Sequence, residues 1–195
     1  SEDDSTLFVS AAGSDKLITI DADSGEVLGR VAVDATPRGV ALLSANDGSP
    51  EQAWVLNAVE NTVSLVDVST TNNPRLIDTV VLEDPTQPII KRGRKAFETA
   101  MASTTGTFSC SSCHPDGHTD QLVWVLATPI VTRGDQIQPR ITMPIRGLRD
   151  TEPYHWDGIP GDPYGGVNAA NTDGYVPPNS DINDPTTSTL DLIDG

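Results

Sequence analysis

A pattern of short strand-like runs occurs twice in the first half of the chain. Phe8-Val9 aligns with Trp54-Val55, Asp15 with Asn61, Leu17 with Val63, Ile20 with Val66 and Asp21 with Asp67, all at an offset of 46 residues. Within the first copy, Leu7-Phe8-Val9 and Leu17-Ile18-Thr19-Ile20 are separated by the turn-forming Gly13-Ser14-Asp15. Further on, Val27-Leu28 through Val33 matches Leu76-Ile77 through Leu82, and Thr36-Pro37 recurs near Thr86-Gln87-Pro88. A repeat in the mid-forties made of several short strands has the spacing of a propeller blade, with an unrelated β-meander as the alternative. Residues 1–88 are therefore expected to form all-β, blade-like sheets. Two blades do not close a ring of about 4–8, and an open stack leaves strand edges bare. The expectation is a partial propeller, completed by further chain or subunits, with a piece of a longer protein favoured.

Charge divides the chain differently. Across 195 residues there are 28 acidic and 12 basic side chains, a formal net charge of −16. Residues 1–88 carry 15 acidic against 4 basic groups, residues 89–150 carry 5 against 8, and residues 151–195 carry 8 against none. Such acidity keeps a protein in solution or steers a basic partner, and it excludes nucleic acid as a ligand, which needs clustered Lys and Arg. No apolar run approaches the roughly 20 residues of a membrane span. Neither is there a basic stretch followed by an apolar one at the start, so any export signal is expected to have been removed or to be unrecorded.

The proline-bounded run Asp84-Pro85-Thr86-Gln87-Pro88-Ile89 marks a boundary. From about 89 to 102 the period becomes helical, with Ile90, Gly93, Phe97 and the Ala100/Met101 pair on one face. Met101 is expected in the core. From Pro153 onward periodicity disappears, and Gly, Pro, Asn and Asp dominate. The domain expectation is thus 1–88 for the blades and 89–195 for a second module, with an irregular acidic tail from about 159.

Both cysteines of the chain lie in Cys110-Ser111-Ser112-Cys113-His114, the C-x-x-C-H pattern of c-type haem attachment. Thiols three residues apart on one turn can each add to a vinyl group of the same porphyrin, and the adjoining His114 can then ligate the iron. A zinc site lacks its third and fourth ligands, because His118 alone does not complete a tetrahedron. A thioredoxin-like dithiol lacks its βαβ setting. One covalent haem c is the expected cofactor, in the region where the chain turns basic.

Family resemblances extend these readings. Val55-Leu56-Asn57-Ala58-Val59-Glu60-Asn61-Thr62-Val63-Ser64-Leu65-Val66-Asp67 resembles the YVTN-type β-propeller repeat, with Trp54 in place of Tyr and Leu56 in place of Thr. Gly93 and Phe97, spaced as in the first helix of cytochromes c, and Cys110 to His114 resemble the cytochrome c family over 89–157; no closing C-terminal helix is visible. Lys91-Arg92-Gly93-Arg94-Lys95-Ala96-Phe97, Pro115-Asp116-Gly117-His118-Thr119-Asp120, Pro144-Ile145-Arg146-Gly147-Leu148 and Pro153-Tyr154-His155-Trp156-Asp157-Gly158 are similar to bacterial proteins that join a YVTN propeller to a domain of the cytochrome c peroxidase/MauG superfamily. Those proteins usually have Arg where this chain has His118, and the peroxidases carry two haems where this chain has one motif. The resemblance implies a mixed fold: propeller-like blades followed by a mostly α-helical cytochrome c-like domain with long loops.

The distal side of the iron separates electron transfer from catalysis. Met143, 29 residues past His114 and followed by Pro144, is the expected sixth ligand; a gap-filling core methionine is the alternative. His155 is the rival distal ligand, or an acid/base if the iron is open. His118 is expected at the solvated surface. Arg140 and Arg146, with Arg149, are candidates to pair with the haem propionates, since a buried unpaired carboxylate costs several kcal/mol. Trp124 and Trp156 are expected as pocket wall. Asp181, Asp184 and Asp191 could supply oxygen to calcium, without EF-hand spacing. The sequence thus points to an exported, periplasmic or extracellular monohaem electron-transfer module with a redox partner protein, such as another cytochrome. A peroxidase/MauG-type enzyme and a haem-bearing assembly subunit are the alternatives.

Overall fold

The computed structural model describes residues 1–102, 106–127 and 137–147. The chain divides into two compact units, Ser1–Ser109 and Cys110–Gly195.

The first unit holds two antiparallel meanders. Strands β1 (Thr6–Ala11), β2 (Lys16–Asp21) and β3 (Val27–Ala32) form one sheet in that order. Strands β4 (Pro37–Ser44), β5 (Pro50–Asn57), β6 (Thr62–Asp67) and β7 (Arg75–Val81) form the other. The sequence repeat is a repeat of register. Thr6 pairs with Asp21 and Ala11 with Lys16 in β1–β2; 46 residues later, Gln52 pairs with Asp67 and Asn57 with Thr62. The irregularities fall in step as well, at Thr19/Ile20 in one sheet and Leu65/Val66 in the other. Local chemistry explains the match. Asp15 and Asn61 both take the left-handed conformation that Asp and Asn tolerate best, with φ of 53° and 62°. Asp21 and Asp67 each accept hydrogen bonds from a serine close by, Ser24 and Ser69, at the start of loops of different length.

Alternation then sorts the side chains. In β5, Ala53, Val55 and Asn57 are buried while Trp54 and Leu56 are exposed. The core lies between the sheets: Leu17, Ala53, Val55, Val66 and Val68 are fully buried, and Phe8, Val31, Val33 and Val40 pack against them. Burying each of the larger side chains contributes about 1.5–3 kcal/mol. Gly29 permits the close approach. A Cβ there would lie 2.5 Å from Pro74 Cδ and 2.9 Å from the Thr71 carbonyl oxygen, and the Thr19 hydroxyl donates to that same oxygen at 2.5 Å. Polar groups also enter the interior, where Asn57 Oδ1 has no hydrogen-bond partner among the described residues. Asn57 Nδ2 donates to Thr62 Oγ1 and Ser64 Oγ, and Thr62 Oγ1 donates to Asp34.

Helix α1 (Pro88–Glu98) begins with proline at its first position, where no amide hydrogen is needed. It belongs to the first unit. Lys91 bridges Glu60 and Asp84 at 3.0 Å each, Lys95 also pairs with Glu60, and Glu98 pairs with Arg38. The helix stops at Glu98 and Thr99 is extended, so the helical face does not continue. Ala100 is buried as a result, and Met101 is 78% exposed, contrary to the core position expected for it.

The expected mostly α-helical second module is overturned. From Cys110 on, the described residues contain one helical turn, α2 (Cys110–Cys113), a 3-10 turn at Pro115–Gly117, and a hairpin of β8 (Val123–Ala127) and β9 (Ile137–Ile141). The physical reason is local. Val123, Val125, Ile137 and Ile141 are β-branched, Pro139 cannot sit inside a helix, and no apolar 3.6 period runs through 118–147. The blade-like half of the expected fold class agrees with the antiparallel sheets; the helical half does not.

Candidate functional site

The motif Cys110 to His114 is wound as a single turn, closed by the His114 amide donating to the Cys110 carbonyl at 3.0 Å. Residues i and i+3 share a helical face, so Cys110 and Cys113 lie on one side of the turn, and His114 follows it with non-helical φ of −114° and ψ of 60°. Both thiols are free. Desolvation pushes the Cys110 thiol above its ordinary value, although the residue as a whole is exposed. It does the same at Cys113, where the Asp120 carboxylate and the neighbouring Cys110 add to it. Such thiols stay protonated at neutral pH, the opposite of an activated redox dithiol.

Beyond His114 the chain reverses sharply. Asp116 and Gly117 both have positive φ, 53° and 75°, and the Gly117 amide donates to the His114 carbonyl. The Asp120 amide returns to the Cys113 carbonyl at 3.0 Å. Asp120 is the hub of this loop: its carboxylate accepts from the Leu122 amide at 2.9 Å and from the Trp124 indole at 2.8 Å. Burial opposes its ionisation, yet hydrogen bonds from Leu122, the Thr142 hydroxyl and Trp124 outweigh that and hold the carboxyl below its usual value.

The segment after β9 is sewn onto this loop. The Thr142 amide donates to the Leu122 carbonyl, and Thr119 Oγ1 donates to the Thr142 carbonyl at 2.7 Å. The Ile145 amide donates to Gly117 at 3.0 Å, and Arg146 donates through Nε and Nη2 to the Asp116 carbonyl at 3.2 and 3.0 Å. Met143 thus lies between two rungs that fasten its strand to the loop leaving the cysteine motif. Met143 is 44% exposed. Leu122, Val123 and Ile141 are exposed too, with Val123 opposite Ile141 in the hairpin.

Arg140 stands opposite Trp124 in the hairpin and is half-buried. Arg146 is exposed but fixed in direction by its two bonds to Asp116. His118 is exposed. His155, Arg149, Trp156, Asp181, Asp184 and Asp191 lie outside the described residues. Among the described residues no group of three or more His, Cys, Asp or Glu is arranged to hold a metal ion by itself, and no helix is long and apolar enough to cross a membrane.

The donor set fits a porphyrin held by two thioethers and one imidazole. His114 Nδ1 is enclosed without a hydrogen-bond partner among the described residues. Sequence reasoning singled out the ends of this arrangement but gave no role to Thr119 and Asp120, which tie it together. Their signal was present: adjacent Thr and Asp just past a Gly are turn-building residues whose side chains bond nearby amides.

No protein-family model matches the chain, and no curated protein matches it. Among solved structures, the chain is similar to hydrazine synthase of Kuenenia stuttgartiensis, with 32% identity and a TM-score of 0.36. The likeness covers 43% of this chain and 22% of that chain, so this chain corresponds to about a fifth of its length, and neither fold nor activity is taken from it.

Proposed function

We propose that this chain is a monohaem c-type electron-transfer module that accompanies YVTN-type propeller blades. What supports the reading is the single turn at Cys110–Cys113 closed by the His114 amide, with the Met143 segment hydrogen-bonded to the loop that follows. Each cysteine S–H would add across a vinyl group, forming a carbon–sulfur bond while the proton goes to the other vinyl carbon. His114 would hold the iron through Nε2, and Met143 would hold it through its thioether. Arg146, aimed by the Asp116 carbonyl, and Arg140 would be the cations that meet the propionates. Bound in this way, haem supplies a reversible one-electron iron couple whose potential depends on axial ligand and burial. Leu122, Val123, Ile141 and Met143 supply the apolar surface that a porphyrin edge would cover. Haem c is attached outside the cytoplasm, so the module belongs in the periplasm or beyond and passes electrons to a partner protein there.

The test is the oxidised visible spectrum. A low-spin, six-coordinate iron with the methionine-to-iron charge-transfer band is expected, and Met143→Ala should abolish that band while the haem stays covalently attached. A high-spin iron in the native protein, or a band indifferent to Met143→Ala, contradicts methionine ligation.

A further inference from the structure

The strand that carries Met143 is fastened to the loop behind the cysteine motif chiefly through one residue. Thr142, immediately before the methionine, is held by three groups at once. Its amide donates to the Leu122 carbonyl at 3.3 Å, its carbonyl accepts from Thr119 Oγ1 at 2.7 Å, and its hydroxyl donates to the Asp120 carboxylate. Past the methionine, the next rung is the Ile145 amide on the Gly117 carbonyl at 3.0 Å. Only Met143 and Pro144 lie between these anchors. Proline confines the residue before it to extended backbone, so the main chain of Met143 is set by its neighbours.

The bonds on Thr142 are unequal. An amide at 3.3 Å is just beyond the ordinary range, whereas 2.7 Å is the preferred length for a hydroxyl on an oxygen. The Thr119 hydroxyl is also aimed. It accepts from the Gln121 amide at 2.9 Å, which turns its proton towards Thr142. Gln121 holds a positive φ of 60° there, a conformation uncommon for a side chain of its kind. Thr119 and Thr142 are both half-buried, which limits competition from water. The loop is tied in turn to the motif, through the Asp120 amide on the Cys113 carbonyl at 3.0 Å. Thr119 therefore stands one residue from a bond to the motif and one bond from the residue preceding Met143.

We propose that Thr119 is a positioning residue for the Met143 thioether, acting through Thr142. This assignment rests on the ligation of haem iron by Met143 proposed above. With the hydroxyl in place, the methionine segment stays closed against an added ligand. Without it, the segment opens more often, and a competing imidazole gains access in the methionine's place.

Imidazole titration of the oxidised, haem-loaded protein tests it, followed through the methionine-to-iron charge-transfer band. Thr119→Val removes the hydroxyl at nearly constant volume. Imidazole should then displace the methionine at a concentration roughly two- to tenfold lower, the weight of one hydrogen bond. Thr119→Ser, which keeps the hydroxyl, should behave as the native chain does. In a Met143→Ala background, followed by the main haem absorption, Thr119→Val should change nothing, because no methionine is left to displace. If Thr119→Val does not take up haem, Thr119→Ala removes the same hydroxyl and should give the same shift. Native imidazole affinity in the variant lacking the hydroxyl, or an equal shift in the Met143→Ala background, would overturn the positioning role and leave methionine ligation standing. Absence of the charge-transfer band from the native protein would instead remove the ligation, and this role with it.

Discussion

Gly29→Ala probes the packing of the two sheets at its tightest point. The alanine methyl would stand 2.5 Å from Pro74 Cδ, 2.9 Å from the Thr71 carbonyl oxygen and 3.1 Å from Thr19 Oγ1. Two of these neighbours are a proline ring and a backbone carbonyl, which cannot swing aside as a flexible side chain would. Overpacking of this kind costs about 1–3 kcal/mol. Displacing the loop also weakens the bond from Thr19 to Thr71, for about 0.5–1.5 kcal/mol more. Against this, alanine in a strand gains about 0.5–1 kcal/mol over glycine. The net is a loss of about 2 kcal/mol, or roughly 8–16 °C in Tm for a unit of this size. Gly39→Ala is the control. Its methyl would meet only Leu56 Cβ, at an ordinary 3.7 Å, so its melting temperature should hold or rise slightly. Thermal unfolding followed by circular dichroism reads both. If Gly29→Ala melts as Gly39→Ala does, the sheets do not pack as described.

Three further outcomes follow from the geometry. In Cys113→Ser, haem should stay bound to the chain through Cys110 and resist acid–acetone extraction, whereas the double substitution of Cys110 and Cys113 should release it completely. Asp120→Asn removes one of the charges that raise the Cys113 thiol, after desolvation the largest cause; in the haem-free chain, iodoacetamide should alkylate Cys113 faster at fixed pH, and an unchanged rate would refute the coupling. Helix α1 should loosen in acid. Side-chain hydrogen bonding from Lys95, then Lys91, holds Glu60 below its ordinary 4.5, and bonds from Thr86, then Lys91, hold Asp84 at about 2. Both lowered carboxyls stabilise the fold above their unfolded values, and that contribution fades as pH falls from about 5 towards 2. Lys91, raised above 10.5 by Glu60 and then Asp84, contributes below that value and is lost only in stronger alkali. Hydrogen exchange of the α1 amides should therefore accelerate in acid before that of β5 and β6.

What the sequence revealed depended on how local the cause was. The hairpins β1–β2 and β5–β6 were readable because their turn residues, Asp15 with Asn61 and Asp21 with Asp67, recur at one offset and fix the same register. The turn at Cys110–Cys113 was readable from its motif. The hairpin β8–β9 was missed because family likeness supplied helices where β-branched residues and Pro139 favour extended chain. Met101 was misplaced because a helical period was extended past Glu98, where the backbone leaves the helix. The role of Asp120 needed the structure, since its partners Trp124 and Thr142 are set by the return of β9 and not by its neighbours in sequence.

The reading of the site turns on whether both sulfurs are joined to one porphyrin. Intact mass after treatment with iodoacetamide, measured on protein whose reduced visible spectrum has been recorded, decides it. The account predicts one haem per chain, c-type absorption bands and no alkylated cysteine. Colourless protein in which Cys110 and Cys113 both take up the reagent would contradict it.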